Sequence, residues 1–282
     1  MIKKTPVSRR VAVKSSIAGL LGISFSNTIF GNNAVQGLVA QPLLAVSPRY
    51  PAIDESIVAE VVGVSHFNLD RLKQLVDPRP ELARATWDWA FGDWETAIGA
   101  ASHVGRKDIA AYLVSKGARP DIFTFAMLGA YTTVKSMIEI SPGVQRISGP
   151  HGISLLQHAK NGMSDKDTNK EESTKLIAYL QSLGDADVQQ YLPMDDKDKP
   201  KYEGDYKYGE GATEGVTIKI NSRKYLSLGK LGKNGGSLYK IGENKFIHNG
   251  TPSVIVSFVV ENDKVLSLTI TEPGFTLTAK KG

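Results

Sequence analysis

Cysteine is absent from the 282-residue chain. That excludes disulfides, a thiol nucleophile and thiolate metal ligation. Acidic residues are absent from positions 1–40, where Lys3, Lys4, Arg9, Arg10 and Lys14 supply five cations. Outside that stretch 29 basic residues face 29 acidic ones, so the net charge of +5 belongs to the amino-terminal segment alone. A nucleic-acid-binding surface needs a basic face to displace counterions, and the remaining chain has no charge excess to build one. Long apolar runs are missing as well. The stretch from Ile17 to Phe30 is broken by Gly19 and Gly22 and stops at Gly31-Asn32-Asn33, short of the roughly 18 residues a membrane span needs. What is present, 41% hydrophobic and 22% charged residues, is ordinary for a globular chain long enough to hold two modest domains.

The first 40 residues have a basic start, a mildly apolar middle and a polar end, the layout of an export signal. Ser8-Arg9-Arg10-Val11-Ala12-Val13-Lys14 resembles the twin-arginine signal, with a Sec leader or an uncleaved anchor as alternatives. Cleavage is expected near Ala34 or Ala40. The resemblance implies a bacterial protein that is periplasmic or secreted, touching a membrane only through this segment if it is uncleaved. Residues 41–53 are expected to be a linker.

Residues 54–190 carry a repeat. Ala111-Tyr112-Leu113-Val114-Ser115-Lys116-Gly117 returns 67 positions later as Ala178-Tyr179-Leu180-Gln181-Ser182-Leu183-Gly184, close to two periods of about 33 residues. Each copy ends on a glycine placed for a left-handed helix cap. Thr96-Ala97-Ile98-Gly99-Ala100-Ala101-Ser102-His103-Val104-Gly105, followed by a helical pattern at 108–114 and then Gly117-Ala118, resembles the ankyrin repeat. Ala97 and Gly99 stand where the family has proline and histidine. A second copy runs over 152–159 and 174–180, with a polar insertion at 163–172. Further helical patterns lie at 57–65, 69–76, 123–130 and 134–140, about four helix pairs in all. Stacked units of this kind bury a shared apolar face, here through Ile109, Tyr112, Leu113, Leu176, Tyr179 and Leu180.

A polar linker at 191–201 precedes a change of period. Val216-Ile218-Ile220, Val254-Val256-Phe258-Val260 and Leu266-Leu268-Ile270 alternate, Gly-rich turns intervene at 229–236, and Asn249-Gly250 is a hairpin-turn pair. Residues 202–282 are therefore expected to form about seven short strands in a small antiparallel β-barrel or sandwich. Tyr202-Glu203-Gly204-Asp205-Tyr206, the 235–239 turn and the strand pair 253–261/264–271 resemble a small β domain appended to exported serine β-lactamase-like hydrolases, which implies an accessory role. The fold expected from sequence is thus multidomain α + β, an ankyrin helical array followed by a small all-β domain.

Catalytic motifs are not found. Ser227-Leu228-Gly229-Lys230 matches a serine–x–x–lysine pattern but lies in a strand-to-turn region, where the two side chains do not converge. No nucleophile elbow, zincin helix or P-loop occurs. His66, His103, His151 and His158 fall in the helical region; His103 and His158 occupy corresponding helices too far apart to share an ion, so hydrogen bonding within the helices is expected rather than a metal or other cofactor. Trp87, Trp89, Phe91 and Trp94 cluster before the best repeat. With His103, Arg106, Arg119 and His151 they are the candidate binding residues on the concave face of an array, which points to an exported interaction module holding an unidentified protein partner. The alternative is a small-ligand-binding or hydrolytic function in the β domain, in a barrel mouth lined by Tyr206, Tyr208, Phe246 and Phe258.

Overall fold

The structure is a computed structural model that describes residues 49–163, 169–187 and 191–282. Residues 1–40, expected to be an export signal, the first part of the expected 41–53 linker and part of the expected 163–172 insertion lie outside the described residues. Those described belong to one compact unit, Ser47–Gly282. None of the helices described is long and apolar enough to cross a membrane.

The helical part contains α1 (Glu55–Val64), α2 (Leu69–Val76), a hairpin of β1 (Thr86–Asp88) and β2 (Trp94–Thr96), α3 (Ala97–His103), α4 (Lys107–Ser115), α5 (Ile122–Met127), α6 (Tyr131–Ile140), α7 (Leu155–Gly162) and α8 (Lys170–Leu183). Side-chain caps set several of the starts. Asp54, Asn68, Thr96, Asp121 and Ser154 each accept from a backbone N–H of the first turn. Gly117 and Gly184 have positive φ, as their positions at the end of the repeated heptapeptides require.

The helices occur where periodicity places them, but they do not form an ankyrin array. They are few and short, six residues in α5 and fourteen in α8. α3 packs on α7 as well as on α5, and α5 packs on α7, whereas a unit in a linear stack touches only its neighbours. The core divides accordingly. Ile109 and Leu113 are buried with α1, α2 and α3, while Leu176 and Leu180 are buried in a second cluster with α5, α6 and α7. The repeated apolar positions fill two centres rather than one continuous seam. The concave wall on which the docking role was placed is therefore missing from the described residues.

The β part is a closed antiparallel barrel in the order β10-β3-β4-β5-β6-β7-β8-β9. Its strands are β3 (Gly204–Lys207), β4 (Gly215–Ile220), β5 (Leu226–Lys230), β6 (Gly236–Gly242), β7 (Lys245–His248), β8 (Thr251–Glu261), β9 (Lys264–Glu272) and β10 (Phe275–Lys281). Of the two architectures the alternation allows, closure selects the barrel, which leaves no free edge. Asn249 and Gly250 both have positive φ, the conformation of a two-residue primed turn. On β9 a register shift opposite Val259/Val260 turns Val265 inward, and Leu266 is left 45% exposed. The interior is filled by the chain itself. Tyr202, Tyr206, Phe246 and Phe258 pack edge to face, with ring centroids 4.9 Å apart for Tyr202 and Phe258 and 5.6 Å for Phe246 and Phe258.

Candidate metal centre

Alternation along a strand puts residues i and i+2 on one face, and the β1–β2 hairpin uses this to aim two carboxylates inward. Asp93 and Glu95 are 5% and 0% exposed, while Trp94 between them is 63% exposed. The hairpin turn is closed by Gly92, whose N–H donates to Asp88 Oδ1 at 3.0 Å. Glu95 is followed by Thr96, the cap of α3, so the strand runs directly into a helix whose last residue is His103. His66 stands just beyond α1. His151 sits in the short turn 150–152 before α7, with its backbone in the left-handed region at φ 58°.

These elements bring His66, Glu95, His103 and His151 together, with one donor atom of each lying within 4.8 Å of the others. His103 Nε2 is 3.0 Å and His151 Nε2 3.3 Å from Glu95 Oε1; His66 Nε2 is 3.4 Å from Glu95 Oε2. Donors around a tetrahedral ion with bonds of about 2.0–2.1 Å lie about 3.3 Å apart; the three histidine–carboxylate separations are near that value, and the four donor atoms as a set lie within 4.8 Å of one another. Two histidines are fixed from behind. His66 Nδ1 donates to the Gly63 carbonyl at 3.0 Å, and His151 Nδ1 donates to Asp93 Oδ2 at 2.7 Å. Each bond commits Nδ1 as the donor and turns Nε2 to the centre, which is how outer partners orient imidazole ligands. Asp93 also accepts from the His151 backbone N–H at 2.9 Å and from Asn249 Nδ2 at 2.6 Å, and Tyr239 OH donates to the His151 carbonyl at 3.1 Å. The barrel therefore helps to hold the His151 turn.

Glu95 Oε2 accepts from Trp89 Nε1 at 2.7 Å. Glu95 Oε1 and His103 Nε2, in contrast, are buried and make no hydrogen bond, their 3.0 Å separation being out of line for one. Burial acts to raise the Glu95 carboxyl, but His103 and His151 outweigh it and hold the group far below the usual carboxylate range. Burial acts to lower His151, but its contacts with Asp93 and Glu95 prevail and raise it to about 9. At His103 burial prevails over Glu95 and the pKa falls. A buried carboxylate faced by imidazole nitrogens is a donor set for a cation that takes the place of the His151 proton.

The candidate binding residues read from sequence separate into three groups. His103 and His151 join the centre and Trp89 supports it. Trp87 is half-buried against the first helical cluster, and Arg106 is engaged by Asp108 and by the Phe67 carbonyl. Trp94 and Arg119 are exposed and are not among the four ligands. His103 and His158, the pair expected to lie too far apart to share an ion, have different surroundings. His158 does hydrogen-bond within its helix, to the Ser154 carbonyl, but His103 meets His66 and His151 instead. His66 enters the sequence reading only as one of four histidines, and Glu95 and Asp93 do not enter it; the one local signal is the Asp93-x-Glu95 alternation beside tryptophans.

Two of the candidate ligands, His66 and His151, open onto a cavity of about 1030 Å³ at one end of the barrel. Of the four aromatic residues expected at a barrel mouth, Tyr208 lines this cavity, while Tyr206, Phe246 and Phe258 belong to the barrel core. Comparison of the chain with protein-family models, with curated proteins and with solved structures finds no match.

Proposed function

We propose that the protein is a metalloprotein whose single divalent transition-metal ion, zinc or one of similar preference, is held by His66, His103, His151 and Glu95 and faces a small-molecule cavity. The observation that carries this reading is the convergence of four donor atoms within 4.8 Å of one another, with the buried Glu95 Oε1 and His103 Nε2 unsatisfied by protein. Three imidazoles and one carboxylate suit zinc, iron, nickel or copper better than magnesium or calcium, which prefer all-oxygen sites. When bound, the metal would supply Lewis acidity to a water or ligand group entering from the cavity as a further ligand. The chain's own groups would orient it: Asp93 and the Gly63 carbonyl set the tautomers, and Trp89 fixes the carboxylate. The cavity gives a ligand access, which supports the alternative that the sequence left open, a small-ligand or hydrolytic role that involves the β part.

Zinc titration of chelator-treated protein, followed by calorimetry and metal analysis after dialysis, tests this. One equivalent should bind, and Glu95→Gln and His103→Ala should each weaken binding about 100-fold or more. Equal binding by wild type and both variants, or none by any of them, would overturn the assignment.

A further inference from the structure

The cavity beside the centre has a chemical character of its own. It is formed where one end of the barrel faces the hairpin and the His151 turn, and among its lining residues there is no aspartate or glutamate. Three permanent cations, Arg223, Lys230 and Lys233, stand in its wall. The Arg223 guanidinium donates to Ser237 Oγ at 2.8 Å and lies 5.8 Å from the Tyr225 ring centre, so its visible partners are a hydroxyl and a ring, neither of which cancels its charge. Phe91, Leu228 and Leu231 supply apolar wall. His248, at the end of β7 and 1% exposed, also borders the cavity, and neither of its ring nitrogens makes a hydrogen bond. Its ring stands edge-on to Phe91, with centroids 5.0 Å apart.

An unpaired buried polar ring is costly, and a ligand atom offering a hydrogen bond would relieve it. Uncompensated cations beside an apolar wall, with no carboxylate among them, favour a ligand that carries negative charge on one part and a hydrocarbon or aromatic surface on another. The volume is at the upper end of the range for small-molecule sites, about 300–1000 Å³.

We infer that this cavity binds a small organic anion with an apolar body, the body lying on Phe91, Leu228 and Leu231 and the anionic group paired with Arg223, Lys230 and Lys233. The inference deepens the metal-centre reading, on which it rests for the role of the ion at the far end, by naming the class of molecule presented to that ion.

The probes are 8-anilinonaphthalene-1-sulfonate, an apolar anion, and Nile red, an apolar neutral dye. Both are titrated into full-length protein in chelator and again after zinc loading. Wild type and Lys230→Gln/Lys233→Gln are compared, with a cooperative urea transition required of each. The sulfonate should bind at one per chain, about tenfold more weakly to the lysine variant, with Nile red changing less than twofold. No saturable sulfonate binding, an affinity indifferent to the two lysines, or equal losses for both dyes would overturn the inference. The outcomes separate the two readings. Zinc binding without selective sulfonate binding removes the anion site and leaves the metal; selective sulfonate binding without zinc removes the metal and leaves a cavity for apolar anions.

Discussion

His151 combines two demands that a side chain rarely meets at once. Its backbone occupies the left-handed region, φ 58°, where a Cβ costs about 1–2 kcal/mol, yet its ring is the link between Asp93 and Glu95. A residue chosen for the turn alone would be glycine; histidine in that place is strain kept where the surroundings hold it. The two contributions come apart by substitution. His151→Gly and His151→Ala should both lose about 100-fold or more in zinc affinity, since each removes the imidazole. In urea unfolding of the metal-free variants, however, His151→Ala should be about 1 kcal/mol less stable than His151→Gly, because only alanine retains the Cβ. Equal stabilities would mean that the turn does not constrain this residue. The sequence showed Pro150-His151-Gly152 as an unusual tight turn but not its partners. Asp93 and Asn249 are 58 and 98 positions away from His151, a separation that no local pattern encodes.

Among the elements, the existence and rough position of most helices and strands were legible because their causes are local. Capping side chains, glycines with positive φ and the alternation of Val216-Ile218 or Val254-Val256 act over a few residues. How the helices assemble was not legible. A helix pair with one apolar face serves a linear stack and a closed grouping equally well, and the choice made here, α3 against both α5 and α7, depends on contacts between distant segments. The metal centre shares that property. Its four donors come from the end of α1, from β2, from the end of α3 and from the turn before α7, so it exists only once these elements are assembled. The β7–β8 turn is part of the assembly. Gly250 has φ 74°, and a Cβ there would come within 2.8 Å of Gly152 Cα, next to the His151 ligand. Gly250→Ala should therefore cost about 2 kcal/mol through backbone strain and overlap and should weaken zinc binding as well, by displacing the 150–152 turn. Loss of stability with unchanged zinc affinity would show that the barrel does not help to hold the ligand.

At the scale of the whole molecule, the buried histidines set how stability varies with pH. His158 and His248 are both pushed down to about 4, chiefly by burial, which disfavours the imidazolium. In the unfolded chain each titrates near 6.5. Between about pH 6.5 and 4 the unfolded state thus binds more protons than the folded one, and stability must fall as pH falls through that window. Above it both states are neutral at these positions and the effect vanishes; below pH 4 both are charged and the decline from these groups ends. A shift of that size corresponds to roughly 3 kcal/mol for each fully buried histidine, and His103, also depressed by burial, acts in the same direction. His151 is shifted the other way, to about 9; its contribution is complete below pH 6.5, so it stays constant across the window. Urea unfolding of the chelated protein at half-unit steps from pH 7 to 4.5 should therefore show a steady loss of stability. The loss should be shallower in His158→Gln, whose amide can still donate to the Ser154 carbonyl but cannot take up a proton. The readout is the slope and not the level, so the variant remains informative even if the substitution lowers stability at every pH. Identical slopes in the two proteins would mean that His158 takes up its proton as readily in the folded as in the unfolded state and that its burial leaves room for water.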